Sequence, residues 1–436
     1  MTGPLFLGLD LSTQQLKAVV IDDDCNVAYS DAINFGRDLP EFGTSDGFLT
    51  EGDSAWSPVG LWLEAVDRLL TRLASNSSIV SRIAAISGTA QQHGTVYWSK
   101  RGDDALGTMY RDKSIRENLQ DLNRISGSKA YHRFSGPQIA KIRAHQRTVY
   151  EETTSGDWSD ACLDVVVDAN EDDREDLRKK LGGKPGTVSS YIAKRFGFPE
   201  ECSVVAFTGD NLSSMADLNV VEGDVVLSLG SSDTAIFVTR EFIPLERGHL
   251  FIHPTAIGHY KNGSLTRERI RKNLGLTWPQ MEEMLRETPA GNNGCIGIYF
   301  DMAEIEPRVS AGDWRWDAEG NPVQGQCLHL RANCPETISR VIVTGGASAN
   351  ASIRQMLADV FGRPVHTAAV ADSAAQGGAK RAKYMHDSPS VSYHEHFKSS
   401  LTLEANPNRD NVEVYKNLLK VYRERERSLV ENAGHV

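Results

Sequence analysis

One stretch, Ser203-Val-Val-Ala-Phe-Thr-Gly-Asp-Asn-Leu212, sets polar residues against an apolar run. Val204 to Phe207 read as a buried strand that turns at Gly209. The turn delivers Asp210 and Asn211 at the strand's C-terminal end, where open α/β sheets place their ligand chemistry. A carboxylate there can be a general base. It can equally cap the helix that Leu212-Ser-Ser-Met-Ala-Asp-Leu218 predicts. A second stretch begins at Leu5-Phe-Leu-Gly-Leu9 and continues Asp10-Leu-Ser-Thr-Gln-Gln15. Ser12, Thr13 and Gln14 make a donor-rich tip able to hold phosphate oxygens. Asp10 can orient Mg²⁺ through water, with Lys17 adding a positive charge nearby. The alternative is an ordinary polar hairpin turn.

That plan recurs. Asp224-Val-Val-Leu-Ser-Leu-Gly-Ser-Ser-Asp-Thr-Ala-Ile-Phe-Val-Thr239 is again strand, Gly/Ser/Thr turn and strand, with Ser231 and Ser232 at the tip. Two copies far apart predict two related lobes, and two such hairpins suit a polyphosphate, whose oxygens need several donors each. Ile83-Ala-Ala-Ile86 reads as a buried strand ending in Gln91, Gln92 and His93, a set that can bind a polyhydroxylated ligand or simply complete a loop. Arg133, among aromatics before a Gly-Pro turn, can bridge sugar hydroxyls or form a surface ion pair. Arg340-Val-Ile-Val-Thr-Gly-Gly-Ala-Ser-Ala-Asn350 predicts a strand, a Gly345-Gly346 turn open to a flat group, and a helix. Asn350 can cap that helix or bond a base or ribose. Thr277-Trp-Pro-Gln280 has capping-box spacing, and Trp278 can flank a nucleotide or sit in the core.

The elements that must position these groups are legible in outline. The opening reads as a β-meander. Residues 54–75 have amphipathic helical spacing, and 351–361 form a helix. Ala371 to Ala379 begin a small-residue helix that can pack closely below a nucleotide, and 414–430 form a peripheral helix. A chain of 436 residues, 40% hydrophobic, implies two domains or a two-lobed enzyme. Its net charge of -11 argues against nucleic-acid and anionic-membrane partners. Six scattered cysteines without a CxxC fit a reduced compartment. No apolar run approaches a signal peptide or a membrane span, so the expectation is a soluble, cytoplasmic protein.

Taken together, the motifs resemble the FGGY carbohydrate kinases, and among them the eukaryotic xylulose kinases. The resemblance is carried by Leu9-Asp-Leu-Ser-Thr-Gln-Gln15, Asp38-Leu-Pro-Glu-Phe-Gly-Thr44, Ser87-Gly-Thr-Ala-Gln-Gln-His-Gly94, Tyr131-His-Arg-Phe134, Phe207-Thr-Gly-Asp-Asn211, Ser228-Leu-Gly-Ser-Ser-Asp-Thr234, Lys261-Asn-Gly-Ser-Leu265 and Thr344-Gly-Gly-Ala-Ser348, in the family's order. It implies an α/β, two-lobed actin/hexokinase/heat-shock-ATPase (ribonuclease H-like) fold with a ligand cleft between lobes. The implied lobes are a shortened N-terminal sugar lobe over 1–217, a C-terminal nucleotide lobe over 218–390 and a polar tail over 391–436. The implied reaction is ATP- and Mg²⁺-dependent phosphorylation of D-xylulose by a monomer or homodimer.

The resemblance assigns His93, Arg133, Asp210 and Asn211 to the sugar, with Asp210 as base. It assigns Asp10, Thr13 and Gln14, with Ser231 and Ser232, to the metal and phosphates, and Trp278, Gly345, Gly346, Ala347 and Asn350 to the adenosine portion. The chain also departs from the pattern. Tyr110-Arg-Asp112 stands where the family carries Trp-Met-Asp. Blocks are missing between about Ile142 and Trp158, before Lys261 and before Ile338. The departures leave two other readings open: a weak or inactive sugar- or nucleotide-binding relative, and a kinase for another ketose or polyol.

Overall fold

The computed structural model describes residues 3–44, 47–51, 54–90, 108–112, 186–230, 233–238, 249–251, 255–304, 308–323, 338–368, 372–398 and 401–433. The chain condenses into two units, Met1–Asn219 with Val370–Lys398, and Val220–Ala369 with Ser399–Val436.

The first unit opens with the expected meander: β1 (Leu5–Leu11), β2 (Gln15–Ile21) and β3 (Val27–Asn34). β4 (Leu49–Glu51), β5 (Ser54–Pro58) and the later β7 (Thr108–Asp112) form a small separate sheet. The helix expected over 54–75 is α1 (Val59–Ala74), its first residues having gone to β5. Leu61, Trp62, Ala65, Leu69, Leu70 and Leu73 recur every three or four residues, and all are buried. They cover the sheet face that Leu5, Leu7, Leu16, Ala18 and Val20 present, the match of a helical to a strand period that defines an amphipathic interface.

β6 (Ile83–Ala90) runs parallel to β1, four residues longer than the sequence predicts. Next come β8 (Gly186–Thr187), α2 (Ser190–Phe196), β9 (Ser203–Val204), β10 (Thr208–Gly209) and α3 (Asp210–Leu218). The main sheet has the order β3-β2-β1-β6-β9-β8, with β10 also pairing β6. Of the continuous buried strand expected over Val204 to Phe207, only Val204 lies in a strand, with β9 and β10 pairing β6 on either side of Val205 to Phe207. Phe207 is exposed. Its ring lies over Gly88, where an added Cβ would stand 2.7 Å from it.

The second unit repeats the first unit's plan. β11 (Asp224–Leu229) and β12 (Asp233–Val238) form the second hairpin. β13 (His249–Phe251) and β14 (Thr255–Tyr260) follow, then α4 (Ser264–Asn273) and α5 (Trp278–Glu287). β15 (Ile296–Phe300) and β16 (Gly312–Trp316) pair by themselves. β17 (Arg340–Thr344) leads into α6 (Ala351–Phe361) and β18 (Val365–Ala368). The sheet order is β13-β14-β12-β11-β17-β18, closed by β19 (Leu401–Ala405). Just as β6 lies parallel to β1 beside the β1–β2 hairpin, β17 lies parallel to β11 beside β11–β12.

Helix α7 (Ser373–Asp387) belongs spatially to the first unit, although it follows the second unit's strands and the sequence reading grouped it with them. The reason is backbone proximity. A Cβ at Gly8 would stand 1.8 Å from the Ala375 carbonyl oxygen, and one at Gly377 1.8 Å from that of Ser213. Glycine in a strand often marks such an approach. Ser213 Oγ donates to the Ala374 oxygen at 2.7 Å, and Lys380 Nζ to that of Asp217 at 2.8 Å. The segment read as a polar tail joins the second unit. β19 pairs with β18, and α8 (Arg409–Ala433) buries Tyr422 with Leu418 and Leu419 against Ile296, Ile298 and Phe300. Among the described residues no helix is long and apolar enough to cross a membrane.

Candidate active site

The first unit gathers its carboxylates by strand register. β1, β6 and β10 are parallel neighbours, with Asp10 level with Thr89 and Thr208 level with Thr89 from the other side. Asp10 and Asp210 therefore lie at the C-terminal ends of two parallel strands that flank β6, the end at which open sheets of this class bind ligands. Asp10 is only 5% exposed, and its Oδ1 has no hydrogen-bond partner. Burial raises its pKa from an ordinary 3.8 to about 6. The Lys17 ammonium opposes that rise, and the Asp210 and Asp372 charges reinforce it.

A folded-state pKa above the unfolded one favours the folded protein at low pH. That contribution fades as pH rises from about 4 through 6. Asp10→Asn is therefore expected to stabilise the metal-free protein at pH 7–8, by about 2–3 kcal/mol on a scale of roughly 1.4 kcal/mol per pKa unit. Urea denaturation in EDTA measures this. The gain should vanish near pH 4, and an equal gain at both pH values would refute the electrostatic cause.

Asp210 begins α3 at its first helical position. Gly209, not Asp210, is the N-cap, so the capping alternative does not hold as drawn. The Asp210 carboxylate accepts from the Asn211 backbone N–H at 2.7 Å and from Asn211 Nδ2 at 3.1 Å. Burial pushes its pKa up, against the lowering effect of the backbone N–H groups. Such a part-desolvated carboxylate is a better proton acceptor than an exposed one.

The β1–β2 tip is a tight turn. Ser12 N–H donates to the Gln15 oxygen at 3.0 Å, and Ser12 Oγ to the same oxygen at 2.9 Å. Thr13 and Gln14 occupy the tip, and Gly47 (φ +83°) packs against the Thr13 carbonyl. Lys17, the register partner of Asp10, reaches Asp372 Oδ1 at 2.6 Å. The sequence reading missed Asp372, because nothing local marks a residue 355 positions from its lysine.

In the second unit, Gly345 has φ +84°, and a Cβ there would strike the Leu229 oxygen at 2.4 Å. Gly346 faces open space. Asn350 does cap α6, its Oδ1 accepting from Ile353 N–H at 2.9 Å, so its Nδ2 is the end available to a ligand. The capping box forms as the spacing predicts, with Thr277 N–H donating to Gln280 Oε1 at 2.8 Å. Trp278 is 44% exposed rather than core, with the Arg271 guanidinium 5.6 Å from its ring. Just after the second tip, Asp233 holds Arg267 through two bonds of 2.6 and 2.9 Å, a pair the sequence reading did not find. His93, Arg133, Ser231 and Ser232 lie outside the described residues. A cavity of about 480 Å³ between α5, α6 and α8 is lined by none of the expected site residues.

Whether these residues suit a divalent ion is answered at Asp10. A buried carboxylate oxygen without a partner costs free energy unless a cation or ordered water meets it, so Asp10 fits the role of ion ligand. Among the described residues no three His, Cys, Asp or Glu side chains converge to hold an ion, so phosphate and water oxygens would complete the shell. That suits Mg²⁺, which keeps waters and few protein ligands.

Residues 325–386 match the C-terminal domain of the FGGY family of carbohydrate kinases. The chain is 34% identical to mouse xylulose kinase, covering 98% of this chain and 95% of that one. This chain belongs to the FGGY carbohydrate kinases, in their xylulose kinase group. Arabidopsis thaliana xylulose kinase 2 is 32% identical, with 87% of each chain covered. The alignment with the mouse enzyme runs over 531 positions against the 436 residues here, so that relative carries internal segments this FGGY kinase lacks. Solved structures of a ligand-bound xylulose kinase from Lactobacillus acidophilus (TM-score 0.77, 16% identity, 99% of each chain) and of Plasmodium falciparum glycerol kinase with ADP (0.73, 12%, 98% of each) share its fold. The fold is the expected actin/hexokinase-like α/β architecture of the FGGY sugar kinases.

Proposed function

We propose that this chain transfers the γ-phosphoryl group of ATP to the 5-hydroxyl of D-xylulose. The observation that carries the reading is the pairing of a buried Asp10 and a half-buried Asp210 at the C-terminal ends of the strands that flank β6, in a xylulose kinase relative. Asp210 accepts the hydroxyl proton as the sugar oxygen bonds to the γ-phosphorus. The bond from that phosphorus to the β–γ bridging oxygen breaks, and ADP leaves. Such a transfer depends on in-line positioning and charge neutralisation more than on covalent help.

The residues divide the work. Asn211 orients Asp210 and, with His93 and Arg133, binds the sugar. Thr13 and Gln14, and Ser231 and Ser232, hold phosphate oxygens. Trp278, Gly345, Gly346, Ala347 and Asn350 hold the adenosine portion. Mg²⁺ near Asp10 would offset phosphate charge. Small, water-soluble substrates suit a cytoplasmic enzyme, monomeric or homodimeric.

The test is coupled ADP release with D-xylulose and Mg²⁺. Turnover no greater than that of Asp210→Ala would defeat the reading, and a panel with ribulose and glycerol fixes the acceptor. One observation favours a second reading, a nucleotide- or sugar-binding relative with little activity: the chain lacks internal segments that the mouse relative carries. ATP binding without turnover would establish it.

A further inference from the structure

Asp372 has an unusual backbone and an unusual use. It immediately precedes α7, with φ +73°. That left-handed conformation is uncommon outside glycine and is tolerated best by Asn and Asp. A carboxylate at an N-cap normally accepts from the helix's own first amides, yet Asp372 makes no such bond. It holds the Lys17 ammonium at 2.6 Å instead.

Lys17 is the register partner of Asp10 on antiparallel strands. Side chains of such partners project from the same sheet face within contact reach. α7 covers that face, because Gly8, two residues before Asp10, abuts the Ala375 carbonyl. With the helix seated on glycines, the Asp372 backbone has little room to shift. Left alone, a lysine opposite a buried carboxylate would pair with it. Here the lysine goes to Asp372, and Asp10 Oδ1 has no partner.

We propose that Asp372 is a positioning residue that draws Lys17 away from Asp10 and so keeps the Asp10 carboxylate available to a divalent cation. The inference rests on the reading of Asp10 as an ion ligand. The Asp210 and Asp372 charges both act on Asp10, and the three carboxylates with Lys17 sum to two negative charges, which a divalent ion balances. Removing the Asp372 charge frees the ammonium to turn to Asp10 and takes the ion's place there.

The test is Mn²⁺ binding by the full chain, read from the loss of the free-ion electron paramagnetic resonance signal, with no turnover involved. Asp372→Asn keeps a residue suited to the left-handed backbone. It should weaken Mn²⁺ binding about tenfold or more, the scale of one unit charge a few ångströms away in a partly buried site. Lys17→Met added to Asp372→Asn should restore most of the affinity, which a merely structural role for Asp372 would not do. Circular dichroism melts confirm folding, and Asp372→Gly serves if the asparagine variant does not fold. If Asp10→Asn abolishes binding while the Asp372 variants bind as the parent does, Asp372 has no such role and the Asp10 reading stands. If Asp10→Asn leaves binding unchanged, the Asp10 reading fails and this inference with it.

Discussion

Asp210→Ala is expected to lower kcat with D-xylulose by about 10²–10⁴, the range contributed by a positioned general base, while leaving the KM for ATP within about threefold of the parent, since Asp210 makes no proposed contact to the nucleotide. Two features of the site give that expectation its size. Asp210 is fixed at the first position of α3, with Asn211 donating twice to its carboxylate, so its orientation is set before substrate arrives. Burial also raises its pKa above the usual carboxylate value, making it a stronger acceptor. The sign of the pH dependence follows. The base works ionised, so kcat/KM falls as pH drops through the raised pKa, and the acid limb lies above the ordinary 3.8 of an aspartate. Asp210→Asn, nearly isosteric, should lose as much rate as alanine and lose that limb. If the asparagine variant kept more than a tenth of parental kcat, proton transfer to Asp210 would not be part of the rate-limiting chemistry. A parallel rise in KM for ATP would instead indicate that the substitution disturbs the whole site.

Gly377→Ala is expected to destabilise the first unit by about 3 kcal/mol or more, at or beyond the upper end of ordinary overpacking. A Cβ at Gly377 would sit 1.8 Å from the Ser213 carbonyl oxygen and 2.6 Å from its carbonyl carbon. Both are backbone atoms of α3, so no rotamer change relieves the clash. α7 would have to lift off α3, breaking the Ser213–Ala374 bond and the Lys380–Asp217 contacts. It would also open the apolar packing of Ala375, Ala379 and Ala382 on Phe6 and Val19. Because Asp372 sits at the start of the same helix, the Lys17 pair would be displaced too. Gly346→Ala is the control. An added Cβ there meets nothing within 4 Å, so its stability should change by no more than about 0.5 kcal/mol, as for ordinary surface substitutions. Chemical denaturation of the two variants compares them directly. Equal stabilities would mean that α7 is not held by the glycine contacts.

Local features were legible in the chain because each is written in a short window. The meander, the second hairpin, the amphipathic α1, the capping box at Thr277 and the Asn350 cap all follow from apolar periodicity or from a side chain reaching its own backbone three residues on. The two-copy plan was legible for the same reason, as two hairpins of like composition. The run Val204 to Phe207 shows where this stops. Four apolar residues do not specify a strand unless a neighbour's backbone pairs along their whole length, and β6 offers the run ladder pairing at Val204 and one bond to Val205 N–H before pairing resumes at Thr208–Gly209.

What the sequence by itself determined was the set of reactive residues and the local elements that carry them: Asp10 ending one strand, Asp210 opening one helix, a Gly345-Gly346 turn. Tertiary structure alone decided how Asp10 lost its water, why Lys17 answers to Asp372, and that α7 lies with the first unit rather than the second. These depend on backbone approach between residues far more than a hundred positions apart, such as Gly8 with Ala375 and Ser213 with Gly377. Desolvation and charge pairing are properties of that proximity, and no window of sequence contains it.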